Sequence, residues 1–177
     1  MFYSFIFFLI MNTFQSSSVI FKFEPGVSTS GWQIVDDRVM GGRSQGKFEL
    51  DSDGFGVFKG YVTTENNGGF SSLRYDFKGI KTAGYDSIIL TLKGDGKSYQ
   101  FRLKESINQR HSYVKTFETT GAKQEIVIPL NSFLPKFRGR SLELPNFNAN
   151  TINQIAFLIG NKTNERFYLQ IESILLR

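Results

Sequence analysis

The stretch SYQFRLK, residues 98–104, shows most clearly what kind of structure this sequence forms. Its apolar residues Tyr99, Phe101 and Leu103 alternate with polar ones, which is the period of two that a β-strand produces. One face of such a strand packs on a core, and the other carries charged residues towards water. The stretch therefore predicts a strand of a sheet with one wet face.

Comparable short apolar stretches recur along the chain, separated by turn-forming residues at intervals of roughly 8–12 residues. They include VIFKF (19–23), GVFKGYVTT (56–64), SIILTL (87–92), QIAFLIG (154–160) and RFYLQIESILL (166–176). QIAFLIG is apolar on both faces, which suits a central strand. About ten such strands predict an all-β, antiparallel jelly-roll β-sandwich. Only LNSFLPKF (130–137) and NANTINQ (148–154) have the composition for a short helical turn.

The first 18 residues, MFYSFIFFLIMNTFQSSS, are treated apart from this domain. They form an apolar block that ends in small polar residues, as a secretory signal peptide does. We therefore predict a signal peptide at 1–18 and a single domain at 19–177, exported to a periplasm or secreted once the leader is cleaved. Translation from Met11 would instead leave a cytoplasmic or membrane-associated protein.

The composition excludes several kinds of catalytic and metal site. The chain has 177 residues, no cysteine and one histidine, so thiol catalysis, disulfides and thiolate zinc sites are ruled out. The sequence has no Gly-x-Ser-x-Gly motif, so it offers no serine nucleophile that His111 could activate as a base. We predict a protein without catalytic residues, cofactor or metal. The net charge of +5 is spread along the strands, and no nucleic-acid partner is expected.

Two glycine-containing motifs resemble ligand loops but fail in detail. In GDGKS (94–98), a phosphate loop would need glycine where Thr91 stands and a helix after the serine, so a hairpin turn is predicted. In DSDG (51–54), a calcium loop would need ligands where Phe55 and Val62 stand. An ordinary turn is predicted there as well.

The stretch DDRVMGGRS (36–44) is the most unusual segment of the sequence. Asp36 and Asp37 are neighbours, so on a strand they would point to opposite faces and could not act as one catalytic pair. Gly41 and Gly42 would let the chain pass close to another backbone. A structural loop, in which one carboxylate accepts backbone N–H bonds or pairs with Arg38 or Arg43, and a metal-binding or ligand-binding edge both remain open.

Carbohydrate binding is a further alternative, because sugars stack on aromatic rings and bond to planar polar groups. The residue types that would do this are Tyr61, Tyr75, Tyr99 and Tyr113 together with Asn66, Asn67 and Gln100. Tyr99 and Arg102 are the candidate ligand face on the strand 98–104.

Four segments, taken together, resemble the complex I intermediate-associated protein 30 family from about Phe21 to Leu175. They are GWQIVDDRVMGGRSQGKF (31–48), GVFKGYVTTENNGGFSSLR (56–74), GDGKSYQFRLK (94–104) and FRGRSLELPNFNANTINQIAFLIGNKTNERFYLQIESI (137–174). The resemblance implies a galactose-binding-like jelly-roll fold, related in architecture to carbohydrate-binding modules. It also implies a non-enzymatic assembly factor, or chaperone, for respiratory complex I.

The resemblance further implies where recognition would take place. The stretch DDRVMGGRS becomes a family signature, a loop that packs beside Trp32 and is followed by the NNGGFSSLR segment. The candidate recognition residues are Trp32, Asp36, Asp37, Arg38, Gly41, Gly42, Asn66, Asn67, Gly68 and Gly69. The expected partner is a protein, such as a subunit of a membrane complex.

Overall fold

A computed structural model describes residues 17–177 as a sandwich of two antiparallel sheets. The strands are β1 (Ser18–Lys22), β2 (Trp32–Asp36), β3 (Gln45–Leu50), β4 (Gly56–Val62), β5 (Ser71–Lys81), β6 (Ser87–Lys93), β7 (Ser98–Lys104), β8 (Ser112–Glu118), β9 (Lys123–Pro129), β10 (Leu134–Phe137), β11 (Arg140–Ser141), β12 (Thr151–Ile159) and β13 (Glu165–Leu176). Three short 3₁₀ turns, Asp37–Met40, Glu65–Asn67 and Leu130–Ser132, are the only helical elements within these residues. The all-β jelly-roll prediction is confirmed.

One sheet has six strands and the other has seven. The six-stranded sheet runs β3-β4-β13-β6-β9, with β1 also paired to β13. The seven-stranded sheet runs β11-β10-β8-β7-β12-β5-β2. The strand predicted to be central, QIAFLIG, lies in β12 between β5 and β7, where it is buried on both faces.

The core lies between the two inner faces and is rich in phenylalanine. Phe58 and Phe167 come from the six-stranded sheet, and Phe101 and Phe157 come from the seven-stranded sheet. Their rings meet edge-on or tilted, with centroids 4.7 Å and 4.9 Å apart within the two pairs. Such pairs add to the free energy gained from burying the rings.

The longest strand, β13, changes its alternation part of the way along. Phe167, Leu169 and Ile171 face the core, but a bulge between Ile171 and Ser173 shifts the register. Ile174 is therefore buried on the same side as Ile171, although the two are three residues apart. Because of the extra residue, the parts of β13 before and after the bulge both bury side chains in the same core.

Three expectations about turns and strands differ from the structure. The GDGKS segment is not a hairpin turn, because β6 and β7 belong to different sheets and the segment crosses between them. NANTINQ contains no helical turn, since β12 already begins at Thr151. Counting about ten strands missed short elements such as β11.

The predicted signal peptide at 1–18 lies almost wholly outside the described residues and stays a prediction. Within residues 17–177, no helix has the length and apolar character needed to cross a bilayer.

Candidate functional site

The segment after β2 is organised around the carboxylate of Asp37, which is fully buried. Its Oδ1 accepts the Ser44 N–H at 3.0 Å. Its Oδ2 accepts the Ser44 hydroxyl at 2.5 Å, the Gly69 N–H at 2.6 Å and the Phe70 N–H at 3.3 Å. Both oxygens of Asp37 are therefore occupied by donors of the protein itself, as expected of the structural-loop alternative.

These hydrogen bonds control the charge of Asp37. Burial raises its pKa, but the hydrogen bonds from Ser44, Gly69 and Phe70 together lower the pKa by more, so it lies below the ordinary aspartate value. The carboxylate is thus kept ionised in a buried position, and it works as an acceptor that fixes two loops.

Asp36 ties the two sheets together at the same end of β2. Its carboxylate accepts the Gly46 N–H at 3.1–3.2 Å and the Ser71 hydroxyl at 2.6 Å. Gly46 lies on β3 of the six-stranded sheet, and Ser71 lies on β5 of the seven-stranded sheet. Asp36 is therefore engaged by groups of both sheets while its side chain stays partly exposed.

The glycines around this site make room for Asp37. A Cβ on Gly42 would lie 2.3 Å from the Asp37 Cγ, and one on Gly68 would lie 2.5 Å from its Oδ2. Gly41 and Gly69 instead have φ of 90° and 126°, which favours glycine. Gly42 and Gly68 are thus required by the buried carboxylate, and Gly41 and Gly69 by their backbone conformation.

Among the candidate recognition residues, the exposed ones lie around this structural centre. Asn66 and Asn67 form an exposed turn with φ of 55° and 59°, and the side chain of Arg38 is exposed. Arg43 forms an exposed ion pair with Glu65 at 3.0 Å. Recognition by this loop would have to use these residues, because Asp37 is not accessible.

Trp32 lies away from the loop that was expected to pack beside it. It begins β2, whereas the loop follows the end of β2, about 13 Å along the strand. Its ring stacks on Tyr75 with centroids 4.8 Å apart and packs against Phe21, Phe23 and Phe48. Trp32 therefore belongs to the core and presents no surface to a ligand.

Tyr99 and Arg102 do not share a face, so the candidate ligand face is wrong for Tyr99. They are three residues apart on β7, and side chains of a strand alternate between its two faces. Tyr99 is 1% exposed, and its hydroxyl donates to Asp95 Oδ1 at 3.0 Å. Arg102 lies on the outer face.

Of the other tyrosines proposed for sugar stacking, only Tyr61 is exposed. Tyr75 is half-buried against Trp32, and Tyr113 is buried against Phe147. Tyr61 has a neighbour that the sequence argument did not propose, Tyr168 on β13, and the two are 40% and 37% exposed. The alternation in RFYLQIESILL, with Phe167 facing inwards, was a signal that Tyr168 faces outwards.

The outer face of the seven-stranded sheet carries a second feature, two arginines on either side of a small residue. Ala156 on β12 pairs in register with Arg74 on β5 and with Arg102 on β7. Lys104 lies one row away on β7, paired with Gln154. The sequence predicts a solvated strand face for this region of positive charge, but the structure leaves Arg74, Arg102 and Lys104 half-buried.

Burial lowers the pKa of all three of these cations, and repulsion by neighbouring cations adds to the effect at Arg102 and Lys104. Burial lowers the pKa of Arg102 to about 10, and the charge of Arg74 adds to the effect. Burial also lowers the pKa of Arg74, with Asp76 opposing the change. The pKa of Lys104 is lowered by burial and by both arginines, again against Asp76. The three groups form a surface of excess positive charge.

Within the described part of the chain, no cluster of three or more histidine, aspartate or glutamate side chains could hold a metal ion. His111 is half-buried, 2.7 Å from Gln109 through its Nε2, and its ring packs edge-on against Tyr113.

Solved structures similar to this chain are largely carbohydrate-binding modules. A family 11 carbohydrate-binding module from Clostridium thermocellum, in complex with a β-1,3-1,4-mixed-linked tetrasaccharide, has a TM-score of 0.67 at 17% identity, covering 90% of this chain and 94% of that one. A family 29 carbohydrate-binding module has a TM-score of 0.51 at 13% identity, covering 91% and 87%. The agarase AgWH50C has a TM-score of 0.60 at 10% identity, covering 92% of this chain and 24% of the agarase. At these identities the likeness concerns the fold.

No curated protein matches the chain in sequence. The sequence model of complex I intermediate-associated protein 30 (CIA30) does match, over residues 21–171. That match extends from β1 to the bulge of β13 and includes the Asp37 site and the arginines on the outer face. The chain belongs to the complex I intermediate-associated protein 30 family.

Proposed function

We propose that this chain is a non-catalytic binding domain that assists the assembly of respiratory complex I, NADH:ubiquinone oxidoreductase, by holding a partner polypeptide. The observation that carries the proposal is the family match over residues 21–171. The family description associates its namesake with an intermediate of complex I, and an intermediate of assembly is a polypeptide complex that needs a partner protein to hold it.

The chemistry of the described residues supports binding over catalysis. Asp37 is engaged by four donors from the protein, and Asp36 bonds to Gly46 and Ser71, so neither is free to act as a general base. His111 packs beside Gln109 and Tyr113. The features left for function are surfaces.

Deleting the protein from its source cells and separating native membrane complexes by electrophoresis tests this function. We expect less complete complex I, an accumulated intermediate, and co-purification of that intermediate with the tagged full-length chain. Recovery on re-expression is the control. Unchanged complex I together with an absence of associated subunits would contradict the proposal.

Export remains part of the proposal through the predicted leader. N-terminal sequencing of the protein purified from its source cells tests it, with cleavage near Ser18 expected. An intact N-terminus at Met1 or Met11 would place the domain in the compartment where it is made.

Carbohydrate binding is a second candidate, because of the exposed pair Tyr61 and Tyr168. Tyr61 pairs with Arg166 across β4 and β13, so Tyr168 is its diagonal neighbour, about 7–8 Å away. The two rings border an open depression of about 370 Å³ that is also lined by Gln45, Lys59 and Arg166. Exposed rings beside planar polar groups are what a sugar chain stacks on.

Affinity electrophoresis in a mixed-linked β-glucan gel tests this candidate. We expect the wild type to be retarded and Tyr61→Ala and Tyr168→Ala to migrate freely. Val127→Ala, exposed on the outer face of the same sheet, is the matched control. Equal mobility of all four proteins with and without glucan would exclude glucan binding at this pair.

A further inference from the structure

The outer face of the seven-stranded sheet has a positively charged centre. Arg74 and Arg102 lie in one row on either side of Ala156, with backbones about 10 Å apart across β12. Ala156 ends at its Cβ, so the longer arginine side chains stand above it. The face thus presents two arginines in one row, one on each side of a small buried residue.

Neither arginine forms an ion pair within the described residues, although the charge of Asp76 acts on Arg74 from a distance. Within residues 17–177, no carboxylate lies within ion-pair distance of Arg74 or Arg102. Arg102 donates through Nε and Nη2 to the neutral Gln100 Oε1, at 3.1 Å and 2.7 Å. The carboxylate of Asp76 accepts Gln154 Nε2 at 2.6 Å. A guanidinium carries five donors in a planar fork, so both arginines keep donors for a bound carboxylate.

The position of these charges is unfavourable for the free protein. Arg102 and Arg74 are half-buried, and like charges so placed oppose each other because less water screens them. Burial is the largest cause of the lowered pKa of Arg102 and of Lys104, and the charge of Arg74 adds to it in both; the pKa of Arg74 is lowered by burial alone, against Asp76. A bound anion would remove the repulsion.

The shape of the face indicates which kind of anion fits. Its floor is apolar and recessed, since Ala156 and Leu158 are only 3% and 6% exposed although they face outwards. No aromatic side chain faces outwards from β5, β12 or β7, so a sugar ring has nothing to stack on. Gln100 on β7 lies beside Leu158, and Gln154 on β12 lies beside Lys104. Side-chain amides of this kind can bond to peptide groups.

We propose that this face docks an acidic segment of a partner polypeptide, with glutamate or aspartate carboxylates bound by Arg74 and Arg102 across Ala156. The inference rests on the proposed function and names the chemistry of the partner. Lys104, one row away, adds attraction for a neighbouring carboxylate.

Titration of the full-length chain with fluorescent poly-L-glutamate tests the site directly. We expect binding that weakens as salt is raised, none to poly-L-glutamine, and about a tenfold weaker Kd in Arg74→Gln and in Arg102→Gln. Lys47→Gln, exposed on the other sheet, should bind as the wild type does. Wild-type affinity in both arginine variants would overturn the proposal. So would preferred binding of polygalacturonate through the same arginines, since the ligand class would then be an acidic glycan.

Two further readouts separate this inference from misfolding and from the proposed function. Both arginine variants should melt at or above the wild-type temperature, because each removes a repulsive half-buried charge. If complex I intermediates co-purify equally with the wild type and with the Arg74→Gln/Arg102→Gln double variant, the assembly function stands and the docking site is wrong. If they co-purify with neither, the assembly function is wrong, and the titration with poly-L-glutamate still tests the docking site at Arg74 and Arg102.

Discussion

The Asp37 carboxylate bonds to the Gly69 N–H at 2.6 Å, across 32 residues of sequence. This bond joins the segment after β2 to the turn before β5, and Ser44 completes the junction from a third position. The two glycine-rich segments that stand out in the sequence are therefore joined through one buried carboxylate.

Replacing Asp37 by asparagine should destabilise the protein by about 1–3 kcal/mol, since an NH₂ group would then face donors that lose their acceptor. Asp36→Asn should have a smaller effect, because Asp36 is partly exposed and water can replace a lost bond. The change in the free energy of unfolding of each variant is measured by urea unfolding, provided that the dependence of this free energy on urea concentration is the same as in the wild type. Asp53→Asn, in an exposed turn, is the control and should change stability by less than about 0.5 kcal/mol. A wild-type midpoint for Asp37→Asn would contradict the role assigned to this carboxylate.

The pH dependence of stability should reveal the lowered pKa of Asp37. Burial raises this pKa, but the hydrogen bonds from Ser44, Gly69 and Phe70 together lower it by more, so the folded value lies below the unfolded one, which is about 3.9. The unfolded chain then binds more protons as the pH falls below about 4, and stability decreases there. Asp37→Asn should flatten this decrease in acid unfolding curves. Parallel curves for the two proteins would show that another group causes it.

Gly42→Ala should destabilise the fold, because its Cβ would lie 2.3 Å from the buried Asp37 Cγ. We expect a loss of about 1–3 kcal/mol, typical of overpacking. Gly121→Ala is a matched control in which the Cβ meets nothing within 4 Å. Thermal melts of both variants measure the difference. Equal melting temperatures would mean that the loop moves aside without cost.

Trp32→Phe should cost less than about 2 kcal/mol, although full truncation of a buried tryptophan costs about 3–5 kcal/mol. The Trp32 Nε1 is buried and finds no acceptor within residues 17–177, so its removal relieves a penalty that offsets part of the lost packing. Comparison of Trp32→Phe with Trp32→Ala in urea tests this. Equal losses in the two variants would contradict it.

The strands were predictable because the signal is local. In β7 the alternation from Tyr99 to Leu103 follows from one sheet face being buried, and neighbouring residues alone carry that information. The sheet to which a strand belongs depends on distant partners. The GDGKS segment has the composition of a turn whether the chain returns to the same sheet or, as here, crosses to the other one.

The candidate site was predictable only in part for the same reason. The glycines and paired aspartates of DDRVMGGRS mark a tight loop, but the donors to Asp37 come from Gly69 and Phe70, which no spacing rule connects to it. Arg74 and Arg102 come to lie on either side of Ala156 because β12, which follows both in sequence, inserts between their strands. Their charge was visible in the sequence, and their position was not.

The pairing of β13 affects the order in which the domain can form on a ribosome. Every strand of the seven-stranded sheet is synthesised before β13, whereas β1, β4 and β6 all pair with it. Until β13 emerges, the other sheet can contain only two separate strand pairs, β3 with β4 and β6 with β9, and an unpaired β1. The nascent chain therefore passes through a stage in which a wide apolar sheet surface has no cover, which is when an aggregation-prone intermediate most needs a chaperone.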